Sequence, residues 1–209
     1  MRRELPILFN TEMVRAILDG RKSCTRRIVK HDVKAILNSP YHKEHPEVED
    51  KQIISKLCMP PYQIGDILYV RETWYKGLER YMYRADYSDT EKFYRDGKEI
   101  EMKWHPSLHM PKDAARIFLR VTNVRVERLQ EITEDEAVKE GIYQSNCKEC
   151  NAPFGCDACP DEGYNEIDGF ADLWNSTIKK SDLDRYGWDA NPWVWVIEFE
   201  RCEKPGGEV

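Results

Sequence analysis

The first apolar repeat in the chain has helical spacing and comprises Met13, Val14, Ile17 and Leu18. Asn10 is suited to cap the start of this helix, and Gly20 is suited to end it in a left-handed conformation. Lys22 and Thr25 come directly afterwards. The pattern therefore predicts that both polar side chains lie on a tight turn beyond the helix end.

A second pattern, from Ile67 to Val70, is apolar and β-prone and predicts a strand. Side chains alternate along a strand, so Glu72 shares a face with Val70 and Trp74. If that face is the inner one, burial raises the pKa of the Glu72 carboxyl, and an ion pair with Arg71 or a surface arginine is the less favoured alternative. An ammonium, a hydroxyl and a carboxylate that converge in one pocket are the parts of a hydrolase.

The remaining patterns mix strands and helices. Strands are predicted at 6–9, 81–84, 116–128 and 193–199, and helices at 133–140, where Thr133 and Glu136 have capping-box spacing, and at 170–178. Residues 31–63 contain a short helical repeat at Val33, Ile36 and Leu37 but several prolines, which indicates an irregular excursion or lid. We expect one α+β domain over residues 1–204, built as a small mixed β-barrel with flanking helices.

Composition points to a globular protein. The chain has 209 residues, of which 41% are hydrophobic, and no apolar run approaches the roughly 20 residues that span a bilayer. The first residues lack the apolar segment of a signal peptide, and seven cysteines without such a signal favour a reducing compartment. A cytoplasmic location without membrane contact is the expectation.

Charge is unevenly distributed along the chain, whose net charge is −6. Residues 1–34 hold nine Lys/Arg against four Asp/Glu, whereas residues 131–209 hold seven against nineteen. This is either ordinary surface variation or a basic N-terminal face for an anionic ligand, with the acidic end turned away. The acidic balance argues against strong non-specific DNA binding.

Four cysteines form two C-x2-C pairs: Cys147, Cys150, Cys156 and Cys159. Each pair can bind one tetrahedral cation from a single turn, and two pairs complete a closed four-thiolate shell. We expect a structural zinc ion in an insertion at 145–165, since a closed shell leaves no position open for catalysis. A rubredoxin-like iron site is the less favoured alternative.

Four sequence blocks, in order, resemble the ASCH domain family, whose fold is PUA-like. Gly20, Lys22 and Arg27 match the family's G-x-K signature, with Thr25 where glutamate is commoner, and the other blocks are 65–74, 106–111 and 191–195. The longer pattern, with its cysteines, is similar to phage- and prophage-encoded members. The fold expectation becomes a PUA-like barrel with a zinc-binding insertion.

The resemblance also implies an activity. One branch of the family, the bacterial N(4)-acetylcytidine amidohydrolases, has catalytic Lys, Thr and Glu in motifs that correspond to Lys22, Thr25 and Glu72. Those enzymes are about half as long and lack the cysteine insertion, so the match supports the catalytic geometry better than the substrate. Thr25 would attack the acyl carbon with Lys22 as base and Glu72 as acid, or Glu72 would activate water while Lys22 stabilises the oxyanion.

Further residues are candidates for substrate binding, each with a structural alternative. Arg27 and Arg71 bind anions or form ion pairs, and Trp74 is a base-stacking platform or a core residue. Ser107 and His109 lie on a proline-flanked loop that could line the pocket, although a buried, satisfied histidine is the commoner outcome. Two other functions stay open: a PUA-like module that binds RNA or a modified nucleoside without turnover, and a ribonuclease.

Overall fold

A computed structural model of the protein describes residues 3–78, 80–95, 97–142 and 166–206. In this part of the chain the strands are β1 (Glu4–Leu8), β2 (Cys24–Ile28), β3 (Ile67–Arg71), β4 (Trp74–Lys76), β5 (Tyr81–Tyr83), β6 (Phe93–Arg95), β7 (Lys98–Ile100), β8 (Phe118–Arg128) and β9 (Trp193–Cys202). The α-helices are α1 (Thr11–Leu18), α2 (Val33–Leu37), α3 (Pro40–Glu44), α4 (Asp50–Leu57), α5 (Glu134–Lys139), α6 (Glu166–Thr177) and α7 (Leu183–Tyr186). No helix among these residues has the length and apolar character needed to cross a membrane.

The predicted α+β class is confirmed, but the predicted barrel is not. The main sheet has five strands in the order β1-β3-β8-β9-β2, and β4-β5 and β6-β7 form two-stranded sheets. Its end strands are not paired with each other among the described residues, so this sheet is open. Strand pairing within the sheet is mixed, because β1 runs parallel to β3 while β3–β8 and β2–β9 are antiparallel.

The chain forms two compact units. The first comprises Met1–Arg21, Gly65–Val121 and Glu200–Val209, and the second comprises Lys22–Ile64 and Thr122–Phe199. Strands β8 and β9 each contribute residues to both units. Each unit has an apolar cluster of its own, which satisfies the requirement that sheet and helix faces be removed from water.

In the first unit, local sequence signals set the start and end of α1. The side chain of Asn10 accepts a hydrogen bond from the Met13 N–H at 2.8 Å, and Gly20 has φ +76°, as the sequence predicts. The apolar cluster of this unit contains Ile67, Trp74, Met110, Ala114, Ala115 and Phe118.

In the second unit, β2 and β9 pair antiparallel, with Thr25 opposite Ile197. Thr25 therefore lies inside a strand, and the prediction that it lies on a turn is wrong. The ladder to β9 decides the conformation here, and only Lys22 remains on the connecting segment. The apolar cluster of this unit contains Leu129, Ile132, Ala137, Phe170, Trp174, Val194 and Val196.

The segment 31–63 is more regular than predicted. The expected short helix at Val33 is present as α2, but α3 and α4 follow it in place of irregular chain. Pro40 begins α3 at a position where a missing N–H costs nothing, so that proline starts a helix rather than breaking one. Helix α4 buries Ile53 and Ile54.

Candidate active site

Seven polar or charged residues are buried in the described part of the chain: Lys22, Thr25, Arg26, Asp66, Glu72, Glu127 and Glu140. All three residues predicted to be catalytic belong to this set. Burial of a charged side chain costs free energy unless partners compensate for the lost water, so each member requires an explanation.

Lys22 is held by Glu140. Its Nζ donates to the carboxylate Oε2 and to the backbone carbonyl oxygen of Glu140, both at 2.7 Å, and the side chain is 0% exposed. A solvated lysine beyond a helix end, the bland interpretation of this position, is therefore excluded. An ammonium paired in this way is a donor without a lone pair.

Arg26 extends this contact into a network. Its guanidinium donates to Glu127 Oε1 at 2.6 Å, to Glu136 Oε2 at 2.8 Å and to Glu140 Oε1 at 3.2 Å, with a side chain that is 0% exposed. Burial lowers the pKa of a guanidinium, but the carboxylates of Glu140 and Glu127 outweigh this and raise the pKa of Arg26. The charged form is thus secured inside the protein.

Arg125 adds a third cation to the same network. Its guanidinium donates to Glu127 at 3.1 Å and also to Glu136 and Glu198. We call Lys22, Arg26 and Arg125 with Glu127, Glu136, Glu140 and Glu198 the carboxylate network. Because Glu136 and Glu140 come from the acidic part of the chain, the idea that the acidic end turns away from the basic N-terminal residues is wrong for Lys22 and Arg26.

Two side chains on β2 lie beside this network in sequence. Thr25 is 1% exposed, which matches a role inside a site and equally a role in the core. Cys24 is buried too, and burial followed by the charge of Glu140 raises the pKa of its thiol to about 12. A raised pKa disfavours the thiolate, so we assign no nucleophilic role to Cys24.

Glu72 follows β3 directly and is 1% exposed, as the strand alternation predicts. Its two oxygens accept from Arg116, Oε1 from Nε at 2.9 Å and Oε2 from Nη2 at 3.0 Å. The expectation that an inward Glu72 avoids an ion pair is wrong. Arg116, which lies two residues before β8, satisfies the carboxylate, and alternation along one strand does not indicate this partner 44 residues away.

The surroundings of Arg116 hold this pair in place. Its Nη1 donates to Asp86 Oδ2 at 2.8 Å, and its guanidinium lies 3.9 Å from the centroid of the Tyr83 ring. Burial raises the pKa of Glu72, and the hydrogen bonds from Arg116 oppose that rise without cancelling it. The predicted direction of the pKa change is confirmed. The bidentate pair occupies one lone pair on each oxygen and leaves the others available.

The predicted binding residues have mixed outcomes. Arg71 Nε donates to the Met110 carbonyl oxygen at 2.7 Å, a structural contact, and Trp74 is buried in the apolar cluster against Tyr81 and His105. The core interpretation of Trp74 is thus the one that the structure favours.

Two others lie at the surface of the first unit. Ser107 and His109 lie in a single 3-10 turn, with Ser107 half-buried and His109 exposed. The alternative of a buried, satisfied histidine is therefore wrong for His109. In the second unit, Arg27 is half-buried, its Nη1 donates to the Arg26 carbonyl oxygen at 3.3 Å, and burial lowers its pKa.

The catalytic candidates are divided between the units. Lys22 and Thr25 belong to the second unit and Glu72 to the first. Their action as one catalytic set stays a prediction. The same holds for the zinc site, because Cys147, Cys150, Cys156 and Cys159 lie outside the described residues. Within those residues, no group of three or more His, Cys, Asp or Glu could hold a metal ion.

The fold and the buried groups define a mixed α+β protein with an open five-stranded sheet and charged side chains inside each of its two units. No family model matches the chain, and no curated protein matches it. Among solved structures, the chain is similar to an ASCH domain from Lactobacillus crispatus JV V101, with 13% identity, a TM-score of 0.42, and coverage of 95% of this chain and 79% of that chain. A likeness at this score carries no argument about function, which has to come from the chain's own residues.

Proposed function

We propose that the protein is a small amidohydrolase that removes an acyl group from an acylated nucleobase, with N(4)-acetylcytidine as its model substrate. The observation that carries the proposal is the burial of Lys22, Thr25 and Glu72, all three of which are among the seven buried polar residues of the described chain. The sequence resemblance selects the same three residues independently of burial. Of the three, Glu72 also has a pKa that burial raises, and perturbed ionisable groups are where catalysis is expected.

The contacts favour one of the two mechanisms. Thr25 needs a base to become a nucleophile, but Lys22 as an ammonium bound to Glu140 has no lone pair to accept the proton. The same ammonium is suited to donate a hydrogen bond to the oxyanion that forms on the acyl group. We therefore assign Lys22 to oxyanion stabilisation and Thr25 to orientation of the substrate through its hydroxyl.

Glu72 is assigned to proton transfer. It takes a proton from water while the water oxygen attacks the acyl carbon, and then gives that proton to the exocyclic nitrogen as the carbon–nitrogen bond breaks. Acetate and cytidine leave. Arg116 fixes the carboxylate by one lone pair on each oxygen, and the raised pKa of Glu72 suits a group that must both accept and return a proton.

The mechanism requires local opening. The three side chains are each no more than 3% exposed, so substrate has to displace a covering group before it reaches them. Slow turnover with a clear dependence on temperature is the corresponding expectation for the wild-type protein.

The test is acetate release from N(4)-acetylcytidine by purified protein. Glu72→Gln keeps the size and one hydrogen-bond acceptor but not the proton transfer, so kcat should fall roughly a hundredfold or more. Asp66→Asn is the matched control, since Asp66 is another buried carboxylate of the first unit, bound by Arg3 Nε at 2.9 Å, and is given no role in the reaction. Equal loss in both variants, or no acetate release by the wild type, would overturn the proposal.

A second candidate is a module that binds RNA or a modified nucleotide without turnover. The 0% exposure of the Lys22 and Arg26 side chains favours this candidate over an enzyme, because charged groups that are buried in an ion-pair network can serve stability alone. Binding of N(4)-acetylcytidine or RNA by a protein that releases no acetate would select this candidate.

A further inference from the structure

The second unit contains a cleft of about 600 Å³, a volume in the range of small-molecule sites. Its lining comes from the end of β2, from α2, from the end of β8, from α7 and from the start of β9. We call it the Trp193 cleft. It contains neither Lys22 nor Thr25, and block 191–195 of the family resemblance contributes Pro192 and Trp193 to it.

Two aromatic rings of the lining carry guanidinium groups. Arg128 lies 4.4 Å from the centroid of the Trp193 ring, and Arg185 lies 4.9 Å from the centroid of the Tyr186 ring. Arg128 Nη1 also donates to the Asn191 carbonyl oxygen at 3.0 Å, which fixes its position over the indole. Stacked guanidinium and aromatic planes offer flat surfaces that favour a planar ring.

The charged groups of the lining nearly balance. Lys34, Arg128 and Arg185 oppose Asp32 and Asp184, with His31 as a sixth polar side chain. Asp32 is committed to its own helix, since its Oδ1 accepts from the Ala35 N–H at 3.1 Å. So small a positive excess is insufficient for a free inorganic anion, but it suits one phosphate attached to a planar, apolar-faced group.

We propose that the Trp193 cleft binds a nucleotide unit. The base packs on the two guanidinium–aromatic pairs and on the apolar lining. The phosphate faces the cations Lys34 and Arg185. A free mononucleotide and one nucleotide of a single strand share this chemistry.

The test measures binding to the full chain by calorimetry with four probes: CMP, AMP, a four-nucleotide single-stranded RNA and inorganic phosphate. Nucleotide or RNA should bind, and inorganic phosphate should bind at least tenfold more weakly. Tight binding of mononucleotide assigns the free ligand as the source, whereas binding of the RNA alone assigns the strand. Binding of phosphate as tight as that of both nucleotides, or no binding of any nucleotide probe, overturns the proposal.

Variants locate the binding in the cleft. Tyr186→Leu removes one aromatic ring of the lining and should weaken nucleotide binding about fivefold to tenfold. Lys34→Gln should weaken it severalfold and lower its salt dependence, while Lys139→Gln, the same charge change at another exposed lysine of the second unit, should not. Equal effects of Lys34→Gln and Lys139→Gln contradict the assignment.

A second readout covers the case of a Tyr186→Leu chain that does not fold. In the wild-type protein, with six tryptophans, the indole N–H resonance of Trp193 should shift when nucleotide is added, because this residue lines the cleft. No shift at saturation contradicts binding of the base in the cleft. The measurement involves no turnover, so failure here leaves the proposed hydrolysis intact, and failure of the hydrolysis leaves the cleft intact.

Discussion

Both units bury charged side chains, but they pair them differently. In the second unit the side chains of the cations Lys22 and Arg26 are each 0% exposed; Lys22 pairs with Glu140, and Arg26 pairs with Glu140 and with two further carboxylates. In the first unit the carboxylate of Glu72 is the buried group, with 1% of its side chain exposed, and Arg116, which binds it, keeps 27% of its side chain exposed.

The difference teaches what each arrangement can do. A network in which several cations and carboxylates are linked by shared hydrogen bonds holds its side chains in place and resists rearrangement. A single pair that reaches solvent through its cation leaves the carboxylate with a raised pKa and with spare lone pairs. The carboxylate network is suited to hold Lys22 in place, whereas the Glu72–Arg116 pair is suited to move a proton.

The largest effect is expected from breaking the network at one end. Lys22→Met leaves the Glu140 carboxylate buried with fewer donors and should lower the free energy of unfolding by about 3–5 kcal/mol. Denaturation in urea measures it. The double variant Lys22→Met/Glu140→Met should recover part of the loss, and a double variant as unstable as the sum of the two single variants would show that the pair is not coupled.

Breaking the pair in the first unit should cost less. Arg116→Met removes both donors to Glu72, but Glu72 can take up a proton and become neutral. We expect a loss of about 1–3 kcal/mol at neutral pH that shrinks as the pH falls. Urea denaturation at neutral and acid pH checks this, and a loss that is independent of pH would contradict it.

The pH dependence of stability separates Glu72 from an ordinary ion-paired glutamate. Because burial raises the pKa of Glu72, the folded state holds its proton more tightly, and this contribution to stability is lost as pH rises through the folded pKa. Burial opposes the shift at Glu131, but the hydrogen bond from Lys51 lowers the pKa of that carboxyl, so its contribution is lost as pH falls. Glu72→Gln and Glu131→Gln should therefore change the pH dependence of the free energy of unfolding in opposite directions. A change in the same direction in both variants would contradict the assigned pKa shifts.

Removal of the proposed zinc site should have the smallest effect on the stability of the two units. Elemental analysis should find one zinc per chain, and substitution of Cys147 and Cys150 by serine should abolish it. Since these cysteines are predicted to form an insertion, the variant should unfold at nearly the same urea concentration. Absence of metal from protein purified without chelator would end the zinc proposal.

Local signals predicted the parts of the fold that depend on few residues. The Asn10 cap, the Gly20 end of α1 and the burial of Glu72 each follow from patterns a few residues long. The open sheet and the strand conformation of Thr25 did not, because both depend on pairing with distant strands. No pattern gives the partner of Lys22, since Glu140 lies 118 residues further along.

The candidate site shows the same limit. The resemblance selects Lys22, Thr25 and Glu72 but does not include Arg26. Arg26 lies on the same strand face as Cys24, and its side chain is as buried as that of Lys22. Likewise, no sequence pattern indicates a cleft beside Trp193, because Arg128 meets the Trp193 ring only after folding.

The central claim is that Glu72 transfers the proton, whereas the glutamates of the carboxylate network serve structure by holding Lys22 and Arg26 in place. The most direct test is to measure kcat/KM for acetate release and urea stability in Glu72→Gln and in Glu127→Gln, which removes a carboxylate bound to Arg26 and Arg125 but not to Lys22. We expect Glu72→Gln to lose roughly a hundredfold or more in kcat/KM with little loss of stability, and Glu127→Gln to lose stability while the folded protein keeps its kcat/KM. Equal kcat/KM in Glu72→Gln and wild type, or a protein without acetate release, would contradict the claim.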